Sequence, residues 1–284
     1  MAELDLDLIP ELRRALVTDA FVVHYQPEVD LVGGDVVGME ALLRWQHPAR
    51  GLLWPSEFLP VAEAAGLLRE IGAWVLDNCL PETAEWNALP MPASESEWLV
   101  WFNVNWAQLL DPAFPDDLVR RCETTGAPIQ RIGLEVTEQS LDRMGEQALP
   151  VLTRLHDCGV SLAVDDFGMW SSVPALIGEL PVDAIKLDRS LVRNIHAPDQ
   201  EVHAASFIEL AHAHGLYVVA EGVESWAEGA RLCELGCDRA LGYLFSGPQR
   251  SERARRMLCR GFAWSPDGSP GRRPAVPLQP WPGS

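Results

Sequence analysis

The sequence has little positive charge. Its 284 residues include 22 Lys and Arg against 41 Asp and Glu, which gives a formal net charge of −19 at pH 7. Because a chain of this sign repels the phosphate backbone of DNA and RNA, the composition argues against binding to a nucleic acid polymer. A small anionic ligand would need the help of cations held locally by the protein.

The sequence also lacks a long apolar run. No stretch approaches the about 18 residues that span a bilayer. Residues 1–7 have neither the basic nor the apolar segment of a secretory signal. We therefore expect a cytoplasmic protein without a membrane partner.

Paired cysteines are absent as well. The six cysteines are scattered along the chain and form no Cys-x-x-Cys unit. This spacing does not suit a zinc site, and it indicates buried, reduced thiols.

What the sequence does contain is an alternation of short apolar runs with helix-like segments. The first two runs, 21–25 and 36–42, are separated by Gly33-Gly34-Asp35 and predict a hairpin. Six further runs follow, at 98–102, 132–138, 160–164, 181–188, 216–220 and 237–243. The alternation predicts a TIM-like (β/α)8 barrel, and the hairpin predicts that its first strand is antiparallel to its neighbour.

Two adjacent acids, Asp165 and Asp166, follow the apolar strand 160–164. Taken alone, this pair is explained by a helix cap and a solvated turn residue. That explanation loses its force if other strands carry polar groups in the same place, because the C-terminal ends of barrel strands meet at one mouth. Other predicted strands do so, at Glu40, where the second strand is expected to end, and at Asn103, Glu135, Lys186 and Glu221.

Five carboxylates around one mouth would repel one another in a region of lowered dielectric. Divalent cations would remove the repulsion, and an all-oxygen ligand set without His or Cys favours Mg²⁺ or Mn²⁺. Asp165 and Asp166 could bridge two ions about 4 Å apart, as in two-metal phosphoester hydrolysis. An enolase-like barrel with one Mg²⁺ and Lys186 as the base stays open as an alternative.

Several motifs between residues 8 and 260 resemble those of EAL-domain cyclic di-GMP phosphodiesterases. The motifs are Tyr25-Gln26-Pro27, Glu40-Ala41-Leu42-Leu43-Arg44-Trp45, His47-Pro48, Glu135-Val136-Thr137-Glu138, Asp165-Asp166-Phe167-Gly168, Lys186-Leu187-Asp188, Ala220-Glu221-Gly222-Val223-Glu224 and Gly242-Tyr243. Together they are highly specific. The resemblance implies in-line attack of an ionised water on one phosphodiester of cyclic di-GMP, which gives linear pGpG.

The resemblance also implies a role for each matching residue. The implied metal ligands are Glu40, Asn103, Glu135, Asp165, Asp166 and Glu221. Lys186 would orient or activate the water, and with Glu221 and Glu40 it would form the catalytic set. The implied substrate-binding residues are Gln26, Arg44, Asp188 and Glu224, with Arg44 as a phosphate clamp. Because the loop after the Asp-Asp-Phe-Gly motif supports dimerisation in the family, we expect a homodimer.

Two departures from the family pattern bear on turnover. Only Met169 and Trp170 separate Gly168 from Ser171. The family has three residues there, one of them a glycine, so this loop is one residue shorter and lacks that glycine. Leu241 stands where the family has Gln, so a polar partner near the metal ligands is missing. Such a loss typically lowers metal affinity or activity about tenfold to a hundredfold. These departures keep open a second function, a receptor that binds cyclic di-GMP and signals through a partner without turnover.

The amino-acid composition of the chain changes near residue 263. We predict an EAL-type phosphodiesterase domain over residues 1–262. From residue 263, six prolines come with Gly and Ser and show no periodicity, so we predict a disordered Pro-rich tail over 263–284.

Overall fold

The computed structural model describes residues 5–89, 98–169, 177–260 and 264–265. The strands are β1 (Phe21–Asp30), β2 (Val36–His47), β3 (Gly51–Leu53), β4 (Leu99–Asn103), β5 (Ile132–Thr137), β6 (Ser161–Phe167), β7 (Ala184–Leu187), β8 (Tyr217–Ala220), β9 (Arg239–Leu241) and β10 (Gln249–Arg250). The helices are α1 (Leu8–Ala15), α2 (Pro55–Ala64), α3 (Leu68–Asn87), α4 (Trp106–Leu109), α5 (Phe114–Thr125), α6 (Glu138–Met144), α7 (Ala148–Asp157), α8 (Arg189–Arg193), α9 (Pro198–Ala213), α10 (Trp226–Glu234) and α11 (Ser251–Arg260). None of these described helices combines the length and apolarity needed to cross a membrane.

Eight of the strands close into a barrel. Their order is β1-β9-β8-β7-β6-β5-β4-β2, and pairing between β1 and β2 completes the ring. β1 is antiparallel to both of its barrel neighbours, whereas β2 and β4 to β9 run parallel to one another. This arrangement confirms the predicted TIM-like (β/α)8 barrel with an antiparallel first strand.

The second strand is longer than the sequence predicts. It does not end at Glu40 but continues to His47, because it pairs with β1 over its whole length, from Glu40 opposite Gln26 to Trp45 opposite Phe21. The short strand β3 pairs with its far end. Glu40 therefore lies in the middle of a strand, and Arg44 lies further along the same strand towards the mouth of the barrel.

The segment between β5 and β6 forms two helices, α6 and α7. Gly145, the residue after α6, has a φ of 54°, which lies in a region that L-residues rarely adopt, and α7 begins three residues later. Glycine allows this reversal without steric cost. α6 begins directly after β5, on the mouth side of the barrel.

A buried ion pair fills the end of the barrel opposite the mouth. Arg239 Nη1 lies 2.8 Å from Oε1 of Glu28, whose side chain is fully buried. The Arg239 guanidinium also stacks over the ring of Tyr217 at 4.0 Å. These groups occupy the interior of the barrel below the level of the mouth.

Packing of the barrel includes part of the predicted tail. Trp264 is buried, donates Nε1–H to the Leu31 carbonyl at 3.0 Å and stacks on Trp226 with a centroid distance of 4.5 Å. Ordered packing thus reaches two residues past the predicted domain end at 262. Apart from Trp264 and Ser265, the predicted tail 263–284 lies outside the described residues.

Candidate active site

Six barrel strands bring polar side chains to one mouth. Glu40, Asn103, Glu135, Asp165 and Lys186 lie on β2, β4, β5, β6 and β7, and Glu221 directly follows β8. The parallel register places Asn103 beside Glu135 and fixes the ends of these strands at one level. The structure therefore brings together the residues in which the sequence predicts metal binding and catalysis.

Lys186 lies at the centre of this group. Its Nζ is 2.6 Å from Glu135 Oε1, 2.8 Å from Glu221 Oε1 and 3.3 Å from Glu40 Oε2, and the side chain is fully buried. It is the only lysine in the sequence. A single ammonium thus links carboxylates that come from three different strands.

The ion pairs fix the charge of Lys186. Burial alone would lower the pKa of this lysine, but the carboxylates of Glu135, Glu221 and Glu40 outweigh it and raise the pKa well above the usual value. The ammonium therefore stays protonated at neutral pH. It can donate hydrogen bonds and stabilise negative charge, but it cannot accept a proton.

The carboxylates carry more negative charge than Lys186 offsets. Burial and Asp165 raise the pKa of Glu221 to about 8. Burial also raises the pKa of Asp165 to about 6, against the opposing effect of Lys186. The site favours additional positive charge, because ionisation of these groups is otherwise costly.

A bulge in β6 explains how two consecutive aspartates serve one site. Neighbouring residues of a regular strand point to opposite faces. Here the β6–β7 register shifts between Val164 and Phe167, and Asp166 is the one non-glycine residue with positive φ (55°) among the described residues. The Asp166 N–H donates to Asp165 Oδ1 at 2.8 Å. Bulges of this kind re-aim side chains next to active sites.

The oxygen atoms at the mouth are of the kind that binds a hard divalent cation. All donors are carboxylate or amide oxygens, and Asn103 Nδ2 donates to Glu40 Oε1 at 3.1 Å, which leaves the Asn103 amide oxygen free to be oriented towards a ligand. Oε2 of Glu135 is buried and has no hydrogen-bond partner in the described part of the chain. Within the same residues, no three acidic, His or Cys side chains surround a common metal position, and three of the carboxylates pair with Lys186.

The predicted substrate-binding residues divide into two groups. Arg44 and Gln26 are buried on the hairpin beside the site, where Gln26 Nε2 donates to the Ser246 carbonyl at 3.1 Å. Asp188 caps α8 through the Ser190 N–H at 2.8 Å and lies close enough to Asp166 to raise its pKa. Glu224 is exposed, and its carboxylate lies 3.9 Å from Arg193, so the structure does not place it in the cluster around Lys186.

Leu241 and the start of the shortened loop lie beside the same mouth. Leu241 is buried, and its carbonyl accepts the Val223 N–H at 3.1 Å, two residues after Glu221. Glu138 is fully buried and accepts the Gly168 N–H at 3.2 Å, which ties the start of the shortened loop to α6. The rest of that loop, including Trp170, lies outside the described residues, so its expected effects on Asp166 and on dimerisation stay predictions.

Sequence analysis missed Trp54. Its ring lies over the Arg44 guanidinium with 4.0 Å between the ring centroid and Cζ, and the side chain is 41% exposed. Trp54 follows β3 and precedes α2, so it lies ten residues from Arg44 in sequence. Its position before Pro55, where a helix-capping Ser or Asp is usual, is the feature that could have drawn attention to it.

Comparison with known proteins identifies the family of this chain. A family model described as the EAL domain matches residues 10–248. A cyclic di-GMP phosphodiesterase of Pseudomonas aeruginosa is 36% identical over 255 residues, which cover 89% of this chain and 43% of the relative. An uncharacterised protein of Mycobacterium tuberculosis is 39% identical over 257 residues, which cover 90% of this chain and 41% of that protein.

Solved structures show the same fold. The MucR phosphodiesterase of Pseudomonas aeruginosa, solved in complex with cyclic di-GMP, superposes with a TM-score of 0.81 at 32% identity, over 87% of this chain and 99% of that one. The chain spans about two-fifths of the length of the curated relatives that it matches. The match over residues 10–248, together with the barrel and its mouth, shows that this chain belongs to the EAL domain family.

Proposed function

We propose that this chain hydrolyses cyclic di-GMP to linear pGpG and depends on two divalent cations, Mg²⁺ or Mn²⁺. The observation that carries the proposal is the set of five carboxylates at the mouth of an EAL-family barrel, three of which pair with the buried Lys186. Relatives named as cyclic di-GMP phosphodiesterases support the choice of substrate.

The cations would be held by Glu40, Asn103, Glu135, Asp165, Asp166 and Glu221. When bound, they supply positive charge that lowers the pKa of water and stabilises a phosphoryl oxygen. The excess of carboxylates over ammonium groups at the mouth favours their binding.

The remaining chemistry falls to residues of the chain. Lys186 is a permanent hydrogen-bond donor with three carboxylate partners, so it orients the reacting water rather than deprotonating it. Arg44 binds a phosphate of the ligand, and Gln26 holds the segment around Ser246 in place. Water adds to one phosphorus, the bond to the leaving 3′ oxygen breaks, and that oxygen takes a proton, so one ring opening consumes one water.

A receptor without turnover is the second candidate. Two departures from the family pattern favour it: only Met169 and Trp170 separate Gly168 from Ser171, and Leu241 places an apolar side chain where the family has an amide. A receptor would bind the dinucleotide and leave it intact.

One pair of measurements separates the two candidates. Purified protein is incubated with cyclic di-GMP and Mg²⁺ or Mn²⁺, product is followed by chromatography, and affinity is measured by calorimetry. The phosphodiesterase predicts pGpG that disappears with EDTA. Tight binding without product would establish the receptor instead. If Leu241 limits the rate, Leu241→Gln raises turnover, and an unchanged rate would leave the shortened loop as the limiting feature.

A further inference from the structure

Trp54 stands at a position where its side chain does not help the helix that it precedes. It is the N-cap residue of α2, a position that favours Ser, Thr, Asp or Asn, and its side chain makes no capping hydrogen bond. The Glu57 carboxylate accepts the Trp54 N–H at 2.7 Å. A tryptophan that breaks a local rule beside an active site calls for another role.

The Trp54 indole covers Arg44 and faces the solvent. Its ring lies over the guanidinium at 4.0 Å, in cation–π geometry, and Arg44 is only 2% exposed. Trp54 itself is 41% exposed, so the ring also presents open surface at the rim of the barrel mouth. A large flat aromatic surface thus lies next to a buried cation.

The Arg44 guanidinium forms no ion pair in the part of the chain that the structure describes. No carboxylate of the described residues lies within 4.0 Å of it, Nη1 donates to the Leu43 carbonyl at 2.8 Å, and the buried Nε has no hydrogen-bond partner there. A buried charge of this kind is stabilised by an anion. A ligand phosphate bound here would bring its attached nucleoside to the rim where Trp54 lies.

We infer that Trp54 is a base-stacking residue of this site, which takes one purine ring of a cyclic dinucleotide on its exposed surface while Arg44 binds the adjacent phosphate. The inference rests on the proposed function for the choice of ligand. Stacking on aromatic side chains is a general means of holding a nucleobase, and it is stronger for a purine than for a smaller ring.

Trp54→Ser tests the inference with little risk to the fold, because serine is a favoured N-cap residue. Affinity for cyclic di-GMP is measured by calorimetry with Mg²⁺ in a Glu40→Ala background, in which turnover is expected to stop. We expect Trp54→Ser to weaken binding about tenfold to a hundredfold, and Trp54→Phe to recover part of the loss. Trp226→Ser is the matched control, because Trp226 is similarly exposed on α10 and should leave affinity unchanged.

A cyclic dinucleotide with uracil in place of guanine distinguishes stacking from mere support of Arg44. Stacking predicts a smaller loss of affinity for the uracil ligand than for cyclic di-GMP. An equal loss for both ligands would show that Trp54 only positions Arg44, and unchanged affinity for both would also overturn the inference. If the unmodified protein neither binds nor hydrolyses cyclic di-GMP, the proposed function fails first.

Discussion

Lys186 determines which chemistry the barrel mouth supports. An enolase-like mechanism would need this lysine as a neutral base, and therefore a lowered pKa. The structure shows the opposite, because three carboxylates hold the ammonium in its charged form. The charge state therefore favours electrostatic and orienting roles over proton abstraction.

The single lysine makes this charge state directly measurable. In protein labelled with ¹³C-lysine, we expect one Cε resonance that does not titrate up to pH 10.5, the usual value for lysine. The raised pKa means that the ion pairs stabilise the fold fully below this pH and lose effect only above it. Glu135→Gln should lower the midpoint. A midpoint below pH 10 in unmodified protein would contradict the assignment.

Asp166 combines charge crowding with an unusual backbone conformation. Burial and the charges of Glu221 and Asp188 raise the pKa of Asp166 to about 6, so its ionised form destabilises the metal-free fold above that pH. Asn tolerates positive φ as Asp does. We expect Asp166→Asn to raise the free energy of unfolding by about 1–2 kcal/mol at pH 8 in EDTA, to leave it unchanged near pH 4, and to lower turnover.

Urea unfolding at the two pH values checks this expectation, and a turnover assay with Mg²⁺ measures the cost. A variant that is less stable than the unmodified protein at pH 8 without metal would show that the Asp166 carboxylate has a structural role instead.

At the scale of elements, periodicity was enough to predict most of the barrel. The β1–β2 hairpin follows from two apolar runs around Gly33-Gly34-Asp35, and the alternation of strands and helices follows from their spacing. The length of β2 could not be predicted in this way, because it depends on pairing with β1 and β3 rather than on its own composition. The break at Gly145 depends on a backbone angle that periodicity does not report.

The sequence predicted which residues form the site but not all of their contacts. The C-terminal ends of the strands converge in every barrel of this kind, so the sequence alone predicted that the acids lie at one mouth. Three features could not be predicted, namely the ion pairs of Lys186, the bulge at Asp166 and the stacking of Trp54 on Arg44. Each arises from side-chain packing or strand register between segments, which the sequence does not encode locally.

The loop after β9 is an element whose packing can be tested. A Cβ added to Gly242 would lie 2.1 Å from the Val223 carbonyl oxygen and 2.3 Å from its nitrogen, in the segment that follows Glu221. We expect Gly242→Ala to displace this segment, to destabilise the fold by about 1–3 kcal/mol and to lower turnover. Gly33→Ala, whose nearest contact is the Asp30 side chain at 3.3 Å, serves as the milder control. Equal stability of the two variants by thermal unfolding would refute this packing argument.

At the scale of the whole molecule, the acidic mouth adds to a chain that already carries a net charge of −19. The pKa of Glu221 is raised to about 8 and that of Asp165 to about 6. At a pH between the usual pKa of each group and its raised pKa, the folded state therefore holds more protons than the unfolded state. Stability without metal should therefore fall as pH rises from 5 to 8.

Addition of Mg²⁺ or Mn²⁺ should reverse this fall, because a cation that binds the folded state stabilises it by mass action and binds more tightly once the carboxylates are ionised. Thermal unfolding at pH 5 and pH 8, with EDTA or with metal, measures the effect. Glu40→Ala should reduce the metal-induced gain. Stability that rises with pH in EDTA, or that does not respond to metal at pH 8, would contradict a cation site at the mouth.

The most direct test of the central claim is the mass of the product formed in H₂¹⁸O. Purified protein is incubated with cyclic di-GMP and Mn²⁺, and the nucleotides are analysed by mass spectrometry. The account predicts linear pGpG with one ¹⁸O in its terminal phosphate, absent with EDTA and absent for Glu40→Ala. Recovery of intact cyclic di-GMP from protein that binds it would contradict the account.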